Sequence, residues 1–488
     1  MRQFHDSRHF KSVADRRVAS FRRARISALF FFAAASAHSA EPTSTPAARS
    51  LAVSIQRATL ENGLRVVLNV DHSSPNVAVS VTYDVGSRNE EPGKSGFAHL
   101  FEHVMFQGSA HVKKGEHFTL ITARGGTLNG TTSTDRTNYF ETLPASELPL
   151  SLWLEADRMK SLAVTEPNVE NQRAVVQEEY RMRVSNQVYS GGFIKLRSLV
   201  FQKYFPYEHD TIGSMQDLDQ AKFEWIATFH DAYYAPDNAV LTVAGDFDPD
   251  EAMRLIHEDF DDAVRRKSVP AYVPPALAEQ TAPRHADVTD TNANTPALYQ
   301  GWAIPPSRTP EHYALELAAS ILGQGESSRL YQKLVRKDGK AQSTSVWTEG
   351  QRGPDMFALR VVLSPHAKLP DVQRDVDAEI DAFAKSGPTQ VEVDRAKTRV
   401  SADFLFGLES NQERAIELGE YETYWGDARL LSTELEHYRA VTPGQIKAAV
   451  RSYLVKARRS TVHVLPPGPE ADKILSGKAP EGSLCGGP

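Results

Sequence analysis

The sequence predicts an α+β protein made of two lobes of one design, and three features carry that expectation. Strand-like alternation and helical periodicity are interleaved through both halves of the 488 residues. A proline-rich stretch, "SVPAYVPPALAEQTAP" at 268–283, separates those halves. Their ends also echo one another. "IATFHDAYYAPDNAVLTVAG" from Ile226 and "IKAAVRSYLVKARRSTVHVLP" from Ile446 each run a helix into a tyrosine, a short polar turn and a strand. An offset of about 220 residues marks two lobes and not a short-period solenoid.

Taken in order, "LRVVLNV" and "NVAVSVTYDVG" alternate as strands around the turn residues "DHSSP". A helix is expected over Ala98–Phe106, bracketed by Gly96 and Gly108, and a second near 114–124. After Gly125 and Gly126 come the strands "TLNGTTS" and "NYFETLP". Helical stretches then begin near Pro149 and cover "EPNVENQRAVVQEEYRMRV" and "FEWIATFHDAYY", before the strand "NAVLTVAGD". In the second half "ALYQGWAIPP" and "DMFALRVVLS" are strands, and "EHYALELAASILG" is a helix. The expected division is a signal segment at 1–40, a flexible leader at 41–50, a first lobe carrying the site at 51–267, a linker at 268–285, a second lobe at 286–466, and a disordered tail at 467–488.

Composition narrows the class. With 41% hydrophobic and 24% charged residues and a net charge of -7, the chain has material for two cores and no basic stripe for nucleic acid. Arg22, Arg23 and Arg25 precede an apolar run from Ile26 to Ala37 and the small residues Ala37, Ser39 and Ala40. This is the order of a secretory signal, and the run is short for a bilayer span, so a periplasmic protein without a membrane span in its mature form is expected. Cys485 is the sole cysteine, so no intrachain disulfide forms and the core alone must hold the fold.

The chemistry concentrates in "HLFEH", His99 to His103. On a helix His99, Glu102 and His103 share one face, while Leu100, Phe101, Val104 and Met105 occupy the rest. Three polar groups on an otherwise apolar helix cost several kcal/mol to bury alone, and a bound cation removes that cost. The i, i+4 histidines can reach one zinc ion, and Glu102 points to the same side, towards water on the metal. The alternative is a polar patch satisfied by the protein itself. A catalytic zinc wants a third ligand, and "NQRAVVQEEYRMR" offers two carboxylates. Taking Val169, Val175, Val176 and Met182 as the buried side of that helix, Glu179 falls near its middle and Glu178 about 100° away. Glu179 is the expected third ligand, with Glu178 as the alternative.

The pentad reverses the commoner H-E-x-x-H order, which is the inverzincin signature. Its surroundings, "YDVGSRNEEPGKSGFAHLFEHVMFQGS", closely resemble the pitrilysin/insulinase family of zinc metallopeptidases, in particular its short two-lobed branch, which includes mitochondrial processing peptidase. The resemblance runs over about residues 50 to 465. It implies that each lobe is a mostly antiparallel β-sheet covered by helices on one side, and that a distal glutamate, again landing on Glu179, completes the metal site. It also implies that "GGTLNGTTSTDRTNYFETLP" is a substrate-pairing strand with Asn129 and Gly130 near the cleaved bond. "LGQGESSRLYQKLVRKDGKAQSTSV" resembles the family's second-lobe segment, where an arginine and a tyrosine bind substrate. The arginine falls on Arg336, but the tyrosine slot around Gln342 and Ser343 holds none. The resemblance therefore implies a dimer, either of like chains or with a related subunit that supplies an Arg/Tyr pair. "EHYALELAASILG" carries no H-x-x-E-H, so one zinc per chain is expected.

The function expected is a zinc endopeptidase cleaving peptides or small unfolded polypeptides, with Glu102 as proton carrier. Its rivals are a non-catalytic assembly subunit of the same fold and a metal-dependent hydrolase acting on another bond.

Overall fold

The computed structural model describes residues 53–265 and 272–468. The signal segment, the leader, part of the linker and most of the tail lie outside these residues. Among those described, no helix is long and apolar enough to cross a membrane.

Two sheets organise the described residues. The first comprises β1 (Gln56–Thr59), β2 (Arg65–Val70), β3 (Asn76–Tyr83), β4 (Thr127–Thr132), β5 (Thr137–Pro144) and β6 (Ala239–Gly245), in the order β1-β2-β6-β3-β5-β4. The second comprises β7 (Arg284–Thr289), β8 (Ala297–Ile304), β9 (Ala341–Thr348), β10 (Asp355–Leu363) and β11 (Ser460–Leu465), in the order β7-β11-β8-β10-β9. Without β1 the two orders are the same. Each sheet has one parallel pair, β2 with β6 and β7 with β11, and is antiparallel elsewhere. The duplicated α+β design is thus present in topology, although few residues repeat.

The helices of eight residues or more are α1 (Phe97–Val104), α2 (Leu148–Ser161), α3 (Glu166–Tyr180), α4 (Ser190–Val200), α5 (Phe223–Tyr233), α6 (Pro249–Phe260), α7 (Pro310–Gly323), α8 (Leu369–Ser386), α9 (Gln390–Gly407), α10 (Asn411–Trp425) and α11 (Pro443–Tyr453). Leu100, Phe101 and Val104 of α1, Leu152 of α2, Ile226 of α5 and Ile256 of α6 pack with Val79, Val81 and Val243 into one core. Leu315 and Leu322 of α7, Val376 and Ile380 of α8 and Val450 of α11 pack with Leu298 and Leu359 into a second. Alternation along the strands sends the other residues to the opposite face.

That opposite face was not legible in the sequence, and the two halves close it for each other. α10, from the second half, lies on the first sheet, where Ala415 meets Ala78 and Ala244, and Leu418 and Tyr421 meet Val67 and Val240. α4, from the first half, lies on the second sheet, where Leu196 and Val200 meet Tyr299, Val462 and Val464. Each exchanged helix approaches through a glycine. A Cβ on Gly419 would stand 2.7 Å from Thr82 Oγ1, and one on Gly192 would stand 2.3 Å from Val464 Cγ2. Charge adds to the exchange: Arg57 donates two hydrogen bonds to Glu422, and Arg197 donates to Glu349.

Two strands escape a hydropathy reading. β1 is exposed throughout and is held by pairing with β2 and by the Arg57 contact with Glu422. β7 starts at Arg284, at the end of the proline-rich stretch, and half of its residues face solvent.

Candidate metal centre and edge strand

The pentad lies on α1, whose first turn is held with care. Gly96, the residue before the helix, has φ +91°, and a Cβ there would lie 2.7 Å from the Ile212 carbonyl oxygen. The Glu90 carboxylate accepts from the N–H groups of Gly96 (2.9 Å) and Ala98 (2.8 Å), which are orphan donors at a helix start. It also lies 2.8 Å from His209 Nε2, while His209 Nδ1 faces the Phe205 carbonyl at 2.8 Å. Sequence reasoning missed Glu90 and His209. The acidic residue six positions before Gly96 was a usable signal, but nothing local points to His209.

His99 is buried, and Glu102 and His103 are partly so. The two imidazole rings stand 5.0 Å apart at 77°. Glu179 of α3 reaches between them, its Oε2 3.1 Å from His103 Nε2 and 3.7 Å from His99 Nε2. Its other oxygen is 2.9 Å from Arg183 Nε. Arg183 was not anticipated, although an i, i+4 pair with Glu179 was readable. It leaves Oε2 alone facing the histidines.

Glu178 differs. Its side chain is 58% exposed, against 12% for Glu179, and pairs with Arg181 at 2.8 Å. The stripe behind the phase argument needs correcting, because Val175 and Met182 are 43% and 58% exposed. The buried side of α3 is Val169, Gln172 and Val176, and Glu179 follows in that series at i+3 from Val176. The phase of Glu179 survives because Val169 and Val176 alone define it. Met182 lies beyond the helix, in a wide π-type turn over Arg181–Ser185 that breaks the 100° step.

The three groups suit a small cation. Their ligand atoms lie within 4.8 Å of one another. Metal–ligand bonds of about 2.0–2.1 Å in tetrahedral array separate ligands by about 3.3 Å, and the spacings of 3.1 and 3.7 Å straddle that value. His99 Nδ1 is buried without a hydrogen-bond partner, so that ring is fixed by packing and by what its other nitrogen binds. With no ion between them, burial lowers the His99 pKa. Burial also opposes charge on His103, but its hydrogen bond to Glu179 and the Glu102 carboxylate outweigh that and raise it. Burial would raise Glu179, yet the His103 hydrogen bond and the charges of His99 and Arg183 hold it down at about 2. The carboxylate is therefore ionised and available.

Glu102 is not one of these three groups. It accepts a 2.6 Å hydrogen bond from Thr132 Oγ1, at the end of β4. β4 is the outer strand of its sheet, bonded to β5 on one side only. Asn129 pairs with Phe140 and Gly130 with Tyr139. A Cβ on Gly130 would sit 3.0 Å from Glu102 Cγ, 3.2 Å from Tyr139 and 3.3 Å from Phe106, so the glycine is what lets strand and pentad touch. Arg136 ties this hairpin to the second half, donating to the Thr131 carbonyl (3.0 Å) and to Glu420 of α10 (2.6 Å).

Arg336 belongs to the second half. It stands exposed near the end of a wide helical turn, Tyr331–Lys337. Gln342, in the expected tyrosine slot, is the bulged residue of β9, and its amide donates to the Leu363 carbonyl (2.7 Å) and Thr295 Oγ1 (3.0 Å). That slot serves the fold of the second sheet.

Two histidines and a glutamate spaced to hold a cation, a separate carboxylate beside them and an open strand edge are the parts that a metallopeptidase scaffold would use. The comparisons agree. Residues 65–196 match the model of the insulinase family (peptidase family M16), and residues 222–400 match that of the peptidase M16 inactive domain. The chain is 31% identical over 368 residues to the zinc protease PqqE of Helicobacter pylori, covering 74% of this chain and 82% of that protein. It is 28% identical over 437 residues to an uncharacterized zinc protease of Mycobacterium tuberculosis, covering 88% and 97%. Among solved structures, a protease from Helicobacter pylori superposes with a TM-score of 0.79 at 28% identity, covering 85% of this chain and all of that one. The periplasmic protease PqqL of Escherichia coli shares the fold, with a TM-score of 0.69 at 17% identity, covering 88% of this chain and 50% of that one. The chain belongs to the M16 peptidase family.

Proposed function

We propose that this chain is an active zinc-dependent endopeptidase, exported to the periplasm, that cleaves peptides or small unfolded polypeptides. The observation that carries the reading is the division of labour among four side chains: His99, His103 and Glu179 converge on one point, and Glu102 stays outside that set with a single hydroxyl partner. A non-catalytic subunit of the same fold has no use for such a carboxylate.

His99 and His103 Nε2 and Glu179 Oε2 would hold the metal. Zinc bound there would act as a Lewis acid, polarising the scissile carbonyl and acidifying water. Glu102 would take a proton from the attacking water at one carboxylate oxygen, while Thr132 Oγ1 holds the other, and pass it to the leaving amine. The free edge of β4 binds an extended substrate through its backbone, which gives broad sequence tolerance. Asn129 and Gly130 would lie beside the cleaved bond, and the absence of a side chain at Gly130 lets β4 come close to Glu102. Arg336 is the candidate for a substrate contact from the second half. With Gln342 in the tyrosine slot, a dimer partner, a second copy or a related chain, completes that contact.

The test is Glu102→Gln. It should keep the parental zinc content and lose about 10²- to 10⁴-fold in cleavage of a quenched peptide. Cleavage at the parental rate would remove Glu102 from the proposed role. Glu179→Gln should instead weaken zinc binding, and unchanged metal content would move the ligand to Glu178. A zinc-loaded wild-type chain that cleaves no peptide, alone or with its co-purifying partner, would favour the assembly-subunit reading.

A further inference from the structure

We propose that the second half carries a cation site of its own, formed by His285, Asp287 and His463 and suited to a divalent transition-metal ion such as zinc. It does not depend on the peptidase reading. The second half has no pentad, so its ligands come from strands and not from a helix.

His285 and Asp287 are two residues apart on β7 and therefore share a face. The parallel register with β11 sets Thr461 opposite His285 and His463 opposite Asp287, which brings the second imidazole to the same face. Ala286 and Val288 point the other way, into the contact with α4. Asp287 Oδ1 is 3.0 Å from His285 Nε2 and 3.3 Å from His463 Nδ1, and the rings are 4.5 Å apart. One carboxylate oxygen between two imidazole nitrogens is also the arrangement of His99, His103 and Glu179. Both spacings lie near the separation of about 3.3 Å that tetrahedral ligands require.

The protonation pattern argues for a metal over an ordinary hydrogen-bond network. His463 Nε2 lies 2.8 Å from Oε1 of Gln373 on α8. An amide oxygen only accepts, so Nε2 carries the proton and Nδ1 presents its lone pair. That Nδ1 is buried without a hydrogen-bond partner, and Asp287 Oδ1 lies 3.3 Å from it. A lone pair facing a carboxylate is repelled unless a proton or a metal ion lies between them, and a metal ion there would meet both imidazoles and the carboxylate at once. Metal-bound histidines regularly donate their other N–H to a carbonyl, the role Gln373 fills here. The nearby guanidinium of Arg459 is engaged by Asp377, and the Asp287 carboxylate meets His285 Nε2 at 3.0 Å. His285 and Asp287 are 48% and 41% exposed, so water can complete the coordination. A cation there would pin β7, an edge strand otherwise bonded only to β11.

The experiment loads the metal-stripped mature chain with Zn²⁺ or Co²⁺ and reads stoichiometry by calorimetry and elemental analysis, with the Co²⁺ absorption spectrum as a second readout. The wild type should bind two ions per chain. His99→Ala/His103→Ala should keep one, and zinc should still raise the melting temperature of that variant. His285→Gln, at an exposed position that spares the core, should also keep one, and combining it with the pentad substitutions should leave none. His463→Gln should repeat the His285→Gln result. One ion per chain in the wild type with none after pentad substitution would overturn the site. So would a second ion that survives both His285→Gln and His463→Gln. Neither result touches the first-half cradle.

Discussion

Glu90 offers the sharpest test of how the fold presents its cation cradle. Its side chain is shut off from solvent and accepts three hydrogen bonds, from the Gly96 and Ala98 N–H groups and from His209 Nε2. In Glu90→Ala all three donors lose their partner. A buried donor left unpaired costs about 1–3 kcal/mol, so the substitution should destabilise the chain by about 3–6 kcal/mol once water entering the space is allowed for. The damage falls on the first turn of α1, three residues before His99, so zinc affinity should drop along with stability. Urea unfolding of Glu90→Ala, His209→Ala and the double variant separates the contacts. The double should cost about 1–3 kcal/mol less than the two singles added together, since each single removes the same bond. Additivity within about 0.5 kcal/mol would show that Glu90 and His209 do not support the helix through each other, and the reasoning would fail.

Other consequences are equally direct. Burial raises Glu141 from an ordinary 4.5 to about 7. The folded chain thus keeps a proton the unfolded chain has released, and this contribution is full below pH 4.5 and lost as pH rises through 7. Glu141→Gln, neutral throughout, should gain up to about 3 kcal/mol over the wild type at pH 8 and almost nothing at pH 4, as read by urea midpoints. His117, held down at about 4 by burial, contributes the opposite slope. Gly192→Ala and Gly419→Ala should each lower stability by about 1–3 kcal/mol from overpacking, although helix propensity alone would favour alanine by about 1 kcal/mol; a raised melting temperature would contradict the close approach. Gly130→Ala, with its Cβ against Glu102, should lower kcat/KM by about 10- to 100-fold with zinc content unchanged.

By itself the sequence determined the parts of this protein that local chemistry encodes. The pentad with its apolar flanks, the alternation in β3 and β5 and the glycine at 130 are each set by neighbours within a few positions. Glu179 was legible from helical phase, though Val175 and Met182, counted in the buried stripe, face solvent, and Met182 lies past the helix end in a π-type turn. Tertiary structure alone decided what depends on distant segments meeting. β1 and β7 carry little apolar signal, because they sit at sheet edges and are stabilised by backbone pairing. The exchange of α4 and α10 could not be read, since an apolar helical stripe says that a face is buried but not against which sheet. For the same reason His285 and His463, 178 residues apart in the chain, become neighbours only once β7 and β11 pair.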